Sequence, residues 1–360
     1  MLYLGSSFAD ATLYGNIDQT YNSTKTTTAG VITNQQTNFS AYQQGQSFLG
    51  VKGAEDLGNG LKASYLYEFG LSTDTSATPT NRQSYVGLSG GFGALRIGKQ
   101  YSNAFMNAIS SDPGGATGGA GALYLAALTG YNGTEAPLRQ DKGIQYDLPN
   151  FVPGLTISLT KVVGNANSAV NNADGDTTNL GTDGVKTGDG IGISIAYTSG
   201  GLRAGFTSDT VTNKGINFGT QNADNGDGTG TSEANTLVAA SSTDKNKLTT
   251  LALSYDLGMA KPSYSNVKMS VGSQSLKVDM FAVSVPLGAA TVFISSSSGK
   301  VDLTGSKEDM KLKGMQYGLN YGLSKRTVAY WHAGNHTITD NTTGNAIKTT
   351  GFGIGVHHSF

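Results

Sequence analysis

A transmembrane antiparallel β-barrel is the fold class this sequence predicts. Three observations predict it: apolar side chains recur with a period of two, connections alternate between short and long, and no apolar run approaches the ~20 residues of a membrane helix. The first is plainest in 190-GIGISIAYTSGGLRAGF-206 and in 351-GFGIGVHHSF-360, where apolar residues occupy one face and small or polar ones the other. The third requires that a membrane-embedded chain close a sheet, because an open edge in lipid leaves backbone groups without partners.

Composition agrees. The chain has 360 residues, 51 of them glycine, about twice the usual share, and its charged residues make up only 14%. No internal break divides it, so residues 10–360 are read as a single barrel domain. Residues 1–9 are read as the remnant of a signal peptide, because Ser7-Phe8-Ala9 is a small-x-small cleavage pattern before Asp10. A formal net charge of −1 excludes a nucleic-acid binder, which needs a basic surface to neutralise phosphates. Zero cysteines exclude disulfides, thiolate metal sites and a cysteine nucleophile.

In chain order, turn residues punctuate the sequence on two scales. Short breaks fall at 55–60, 89–93, 150–154, 199–201, 258–260, 286–288 and 324–326. Long polar segments fall at 22–42, 71–80, 102–140, 164–188, 212–245, 273–276, 297–309 and 335–347. Eight long loops and seven short turns predict 16 strands with both chain ends on the short-turn side. Between the breaks the alternation continues. In 154–163, Leu155, Ile157 and Leu159 oppose Thr156, Ser158 and Thr160; in 314–323, Met315, Tyr317, Leu319 and Tyr321 oppose Gln316, Gly318 and Asn320. Tyr14, Tyr21, Tyr65, Tyr67, Phe69, Tyr85, Tyr101, Tyr146, Tyr197, Tyr255, Tyr321, Tyr330, Trp331 and Phe360 are expected at strand ends, in the girdles that meet lipid headgroups.

Six stretches then carry a resemblance: 48-FLGVKGAEDLGNGLKASYLYEFG-70, 81-NRQSYVGLSGGFGALRIGKQY-101, 144-IQYDLPNF-151, 284-SVPLGAATVF-293, 323-LSKRT-327 and the terminal HHSF. Together, and in this order, they resemble the general diffusion porins of the Gram-negative outer membrane, betaproteobacterial type. The resemblance implies a homotrimer of sixteen-stranded barrels, a long third loop folded into each lumen, and passive diffusion of ions and small hydrophilic solutes. It also implies outer-membrane lipid, lipopolysaccharide and the barrel assembly machinery as partners, with Phe360 as the assembly signal. No cofactor, metal or catalytic residue is expected.

The third long segment, 102–140, follows the fifth predicted strand. Its glycines and the apolar Leu123, Tyr124, Leu125 and Leu128 suit packing inside a barrel. Asp112 and Glu135 are its only carboxylates. A filter sets such carboxylates against wall cations, so that a transverse field orders water and sorts ions. Strand parity makes Lys52, Lys62, Glu68 and Arg82 lumen residues; parity near Arg82 is ambiguous, because Tyr85 and Val86 compete for the lipid face. Arg139 and Lys142 follow the loop and add positive charge. The resembling family commonly carries Arg where Phe48, Gln145 and His357 stand here, so these three substitutions predict weak anion preference or near neutrality.

Other motifs read as structure. Gly87-Leu88-Ser89-Gly90-Gly91 fits a nucleophile elbow in letters, but a strand follows it instead of a helix. His332, His336, His357 and His358 cluster near the end of the chain, yet the adjacent pair must point to opposite faces. Segments 172–179 and 224–233 are rich in oxygen ligands without the calcium-loop spacing, so they read as solvated surface loops, with weak divalent-ion binding as the alternative. Two alternatives to a general pore stand beside it: a barrel-scaffold adhesin or phage receptor, which need not conduct, and a substrate-specific channel, for which Phe48 is the one hint.

Overall fold

The computed structural model describes residues 11–40, 47–73, 78–115, 139–164, 189–212, 245–272, 274–302 and 309–360. The strands of the first half are β1 (Thr12–Thr28), β2 (Val31–Ser40), β3 (Phe48–Gly58), β4 (Leu61–Gly70), β5 (Thr80–Gly90), β6 (Gly93–Tyr101), β7 (Arg139–Asp147) and β8 (Leu155–Val162). Those of the second half are β9 (Gly190–Ser199), β10 (Leu202–Thr212), β11 (Lys245–Tyr255), β12 (Lys261–Val271), β13 (Gln274–Leu287), β14 (Ala290–Asp302), β15 (Met310–Gly322), β16 (Thr327–Asp340) and β17 (Ala346–Ser359). Among the described residues one short helix, α1 (Asn103–Ile109), follows β6. The signal-peptide reading of residues 1–9 falls outside the described residues.

Neighbouring strands are antiparallel, and β17 returns to pair with β1, which closes the sheet into a barrel. The 17 segments occupy sixteen wall positions, because β2 and β3 share one. β1 pairs with β2 from Thr20↔Ser40 to Thr28↔Val31, and with β3 from Thr12↔Lys52 to Asn16↔Phe48. The closing seam is locked at its end by reciprocal backbone hydrogen bonds between Gly15 and Phe360, at 3.2 and 3.0 Å.

All seven short turns fall where turn chemistry puts them. Asn59 and Gly60, with φ of 52° and 77°, join β3 to β4 in the left-handed conformation that two-residue hairpins require. Four of the long segments need correction. Residues 22–42 are mostly the β1–β2 hairpin, turning at Ala29-Gly30, and β12 and β13 are separated only by residues 272–273. β14 runs on to Asp302 and β16 to Asp340. The cause is physical: apolar alternation stops where lipid stops, whereas the hydrogen-bond ladder continues on polar, β-branched residues such as Thr24, Thr26, Thr27 and Thr28. β1 has 17 residues and β13, β16 and β17 have 14 each, against the 9–11 or so that a tilted strand needs to cross.

Burial is inverted relative to a water-soluble protein. Val86, Ile191, Phe281, Ile294 and Ile354 are exposed on the outer face, whereas Asp18, Thr207 and Thr250 are fully buried. An outer face meeting lipid tails and an inner face meeting water and polar groups account for this order. Tyr21, Tyr67, Phe69, Tyr197, Tyr255, Tyr321, Trp331 and Phe360 lie on the exposed outer face as expected. Tyr14, Tyr85, Tyr101 and Tyr330 do not belong to a girdle; they contact lumen-facing charged groups, with Tyr330 on Asp18 and Tyr101 on Arg82. An aromatic ring on an inward position packs against the polar wall, and only parity separates the two populations.

The inner face is not uniformly polar. Leu248, Val267, Met269, Leu276, Val278, Met280, Ala282, Val301 and Leu312 of β11 to β15 form one buried cluster with Ala104, Phe105 and Ala108 of α1. They lie on inward positions nearer the long-loop ends, in line with Thr250, Ser265, Ser295, Ser297 and Gln316 further along the same strands. An apolar inner wall needs a cover, and α1 contributes to it.

Candidate functional site

The segment after β6 turns into the barrel interior. Ser102 caps α1 by accepting a hydrogen bond from Phe105 N at 3.0 Å, the arrangement that satisfies a free helix N–H. Asn107 donates to Thr250 Oγ1 at 3.0 Å and to Thr250 O at 3.2 Å on β11. Opposite, β10 carries Gly205, because a Cβ there would collide with Asn107 Oδ1. Ser263 Oγ of β12 donates to Ser111 O at 2.6 Å, and Gln316 Nε2 of β15 donates to Asp112 Oδ1 at 2.7 Å. At the other end Asn103 reaches Thr160 of β8 at 3.3 Å and accepts from Gln145 of β7 at 3.2 Å. Residues 102–115 therefore cross the lumen and tie distant walls together. Glu135, Leu123, Tyr124, Leu125 and Leu128 lie outside the described residues, as do 172–179 and 224–233.

Asp112 sits at the far end of that crossing. Burial pushes its carboxyl up to about 7, against the pull of hydrogen bonds from Gly114 N and Gln316.

A second group occupies the wall of β1 and β3 to β7. Glu68 is its centre: Oε1 accepts from Tyr14 Oη at 2.7 Å, and Oε2 accepts from Gln83 Nε2 at 2.9 Å and lies 3.5 Å from Arg82 Nε. Arg82 donates to Tyr101 Oη at 2.5 Å, and its guanidinium lies 4.7 Å from the centre of the Phe48 ring. Arg139 reaches the same Tyr101 hydroxyl at 3.3 Å, and the Lys52 ammonium sits 4.5 Å from the Tyr14 ring. The ambiguous parity at Arg82 has a structural answer. The register shifts between Glu68↔Gln83 and Phe69↔Asn81, so Arg82 is the extra residue of a β-bulge and both Arg82 and Gln83 are buried on the inside. Strict alternation from Val86 would have sent Arg82 to lipid.

Lys62 lies on the same face as Glu68, exposed near the short-turn end. Lys142 is exposed at the start of β7 in a left-handed conformation, where the ladder to β6 shifts register. Gln145 is buried inside, bonded to Asn103 and, at 3.1 Å, to Asp147. Phe48 and His357 also face inward, so all three positions where the resembling family carries Arg point into the lumen. His358 points outward, as adjacency to His357 requires.

Sequence reading missed a third group, on β1, β16 and β17. Asp18 is fully buried; its carboxylate binds Tyr330 Oη, accepts from Thr20 Oγ1 at 3.1 Å and lies 3.5 Å from His357 Nδ1. It stands where β2 ends and β3 has not begun. There Ser47 replaces the missing ladder, accepting from Asp18 N at 2.9 Å and donating to Asp18 O at 3.2 Å. The alternation of Tyr14, Asn16, Asp18, Thr20 and Asn22 against Leu13, Ile17 and Tyr21 was the signal that could have found it. Arg96 and Asp147, paired at 2.6 Å on β6 and β7, were also missed, because both sit beside turns.

A closed barrel with an apolar exterior, a polar inner wall and a chain segment crossing its lumen defines a membrane channel. The family model described as Gram-negative porin matches residues 3–342, and the chain belongs to that family. Among curated relatives, outer membrane porin protein 32 of Delftia acidovorans is 28% identical over 345 residues, covering 87% of this chain and 84% of that protein. Among solved structures, the anion-selective porin from Comamonas acidovorans superposes with a TM-score of 0.75 at 22% identity, covering 98% of this chain and 100% of that one. The outer membrane protein OmpT of Vibrio cholerae, in its trimer form, has a TM-score of 0.63 at 13% identity over 98% of this chain and 99% of that one. The protein is thus an outer-membrane porin, a multi-pass barrel that lets ions and small hydrophilic solutes diffuse through a water-filled lumen. It is a channel and not an enzyme.

Proposed function

We propose that this porin filters weakly, with slight anion preference or near neutrality. Its filter is the wall group of Lys52, Glu68, Arg82 and Arg139, set against the loop carboxylates Asp112 and Glu135, with Lys62 and Lys142 adding charge towards the two ends of the passage. The observation that carries this reading is pairing: Arg82 already faces Glu68, and Arg96 already faces Asp147, so the inward guanidiniums of β5 and β6 each have a carboxylate beside them. Selectivity follows the net sign of the lining, and Phe48, Gln145 and His357 add no guanidinium to offset the balance.

The working assembly is a homotrimer in outer-membrane lipid and lipopolysaccharide, delivered by the barrel assembly machinery through Phe360. Support comes from the family and from the trimer form of the Vibrio relative. Reconstitution in a planar bilayer under a KCl gradient tests both parts. Current steps in groups of three and a reversal potential near zero are expected. A strongly anion-selective channel would remove the filter reading, and single steps would remove the trimer.

A further inference from the structure

The charged wall carries its rings in a continuous line. The Lys52 ammonium stands 4.5 Å from the centre of the Tyr14 ring, and Tyr14 meets Phe48 edge to face at 5.7 Å. The Arg82 guanidinium lies 4.7 Å from the Phe48 centre and 6.0 Å from that of Tyr101. Arg139 closes the line, 4.9 Å from the same Tyr101 ring. Cations and rings thus follow one another across β1, β3, β5, β6 and β7, and no step between neighbours exceeds 6.0 Å.

The two ends of the line keep their charge. Arg82 is spent on Glu68 and almost fully buried. Lys52 is exposed and Arg139 half-buried, and neither has a carboxylate partner among the described residues. Between them Tyr14, Phe48 and Tyr101 are each only partly buried, so ring surface is left facing the lumen. A second line of rings, on β14 and β16, differs: Phe293, His332 and Tyr330 lead to Asp18, and all four are buried. That line braces the wall, whereas the first is presented to solutes.

Its direction suits passage. Tyr101 and Arg139 stand at the long-loop ends of β6 and β7, beside the start of the crossing segment, and Lys52 lies four residues nearer the short turns than Phe48 on β3. Four residues of strand span about 13 Å. A solute entering from the long-loop side therefore meets Arg139 first and Lys52 last. An inorganic anion would answer the charges and gain nothing from the rings; a neutral apolar solute would do the reverse. A planar aromatic carboxylate uses both, with its carboxylate on a terminal cation and its ring against Phe48 or Tyr101.

We propose that this line is a binding path for aromatic carboxylates and that Phe48 sets the preference. Phe48 stands at its middle, with Arg82 on one side and Tyr14 on the other, and offers the ring surface between the two free cations. Arg139 and Lys52 hold the carboxylate at the two ends. Several weak contacts in succession let the solute leave as readily as it enters, which conduction requires. The proposal rests on the pore reading of this wall and names a solute class for it.

The test records single-channel current in KCl with benzoate, cyclohexanecarboxylate or benzyl alcohol added to the full chain in a planar bilayer. The two carboxylates match in charge and nearly in size, so their ratio isolates the flat ring; benzyl alcohol has the ring without the charge. Benzoate is expected to reduce the time-averaged current saturably, at concentrations about two- to tenfold lower than cyclohexanecarboxylate, the range that an aromatic pair contributes. Benzyl alcohol should leave the current unchanged. In F48L the difference between the two carboxylates should vanish, whereas in R139Q and K52Q both should weaken together and the ratio persist. Ratios are taken within each variant, so a change in open-channel conductance cancels; if F48L does not assemble, the ratio on the native chain decides. Equal potency of the two carboxylates on the native chain, an unchanged ratio in F48L, block by benzyl alcohol, or undiminished benzoate block in both R139Q and K52Q overturns the proposal. Absence of KCl current through the native chain would instead count against the pore reading.

Discussion

The two inner walls of this barrel are built on opposite rules. The wall of β3 to β7 holds Lys52, Glu68, Arg82, Arg96 and Arg139; its four cations lie over aromatic rings, and Arg82 and Arg96 also face carboxylates. The facing wall of β11 to β15 holds Leu248, Val267, Met269, Leu276, Val278 and Met280, buried against one another and against α1. The difference teaches where the crossing segment docks. Apolar side chains of α1 gain from the greasy wall, and polar fasteners at Thr250, Ser263 and Gln316 fix its register there. The charged wall is thereby left as the side that acts on solutes.

The strongest way to break this contrast is Glu68→Ala. Glu68 and Arg82 are both almost fully buried, so removing the carboxylate strands a guanidinium and leaves Tyr14 and Gln83 without their acceptor. A loss of about 3–5 kcal/mol is expected, read as a lower denaturant midpoint in detergent. A loss below about 1 kcal/mol would mark the pair as an ordinary surface contact. Leu276→Ala on the other wall should cost somewhat less, about 2–4 kcal/mol, since a fully buried leucine leaves a cavity. It should also make open-channel current noisier, because it loosens the surface on which α1 rests; quiet current would separate the apolar wall from the segment.

The smallest effect concerns pH. With its carboxyl pushed up to about 7, Asp112 is mostly neutral about one unit below that pH and mostly charged one unit above. Cation permeability relative to anions should therefore rise as pH increases through this window. Asp112→Asn should flatten the change, and a native channel with no shift in reversal potential across it would contradict the assignment.

Much of this was legible in the sequence, for reasons tied to lipid. Wherever a strand faces tails, Leu155, Ile157 and Leu159 or Ile354 and Val356 must alternate with small or polar partners, so strand parity and the seven short turns could be read directly. Lipid leaves no mark on what lies above it. The Thr-rich ends of β1 and β2 therefore read as a loop, although their backbones pair along their length. Parity also fails wherever the ladder breaks: the bulge at Arg82 turns that residue inward against the count, and the gap between β2 and β3 hides the Asp18 cluster. The apolar inner wall was invisible for a related reason. Leu276 or Met280 on an inward position looks like a lipid contact until the crossing segment is in place.

Everything rests on the alternation of faces, and the absence of native cysteine makes it directly testable. Lys52 and Val51 are adjacent on β3, one inward beside Tyr14 and the other outward against lipid. Single-channel recordings of K52C and V51C before and after a charged, membrane-impermeant thiol reagent compare the two faces one residue apart. The conductance of K52C should fall and its selectivity shift towards the sign opposite to that of the attached charge, while V51C stays unchanged. Block at V51C, or no response at K52C, would contradict the assignment of this wall to the pore.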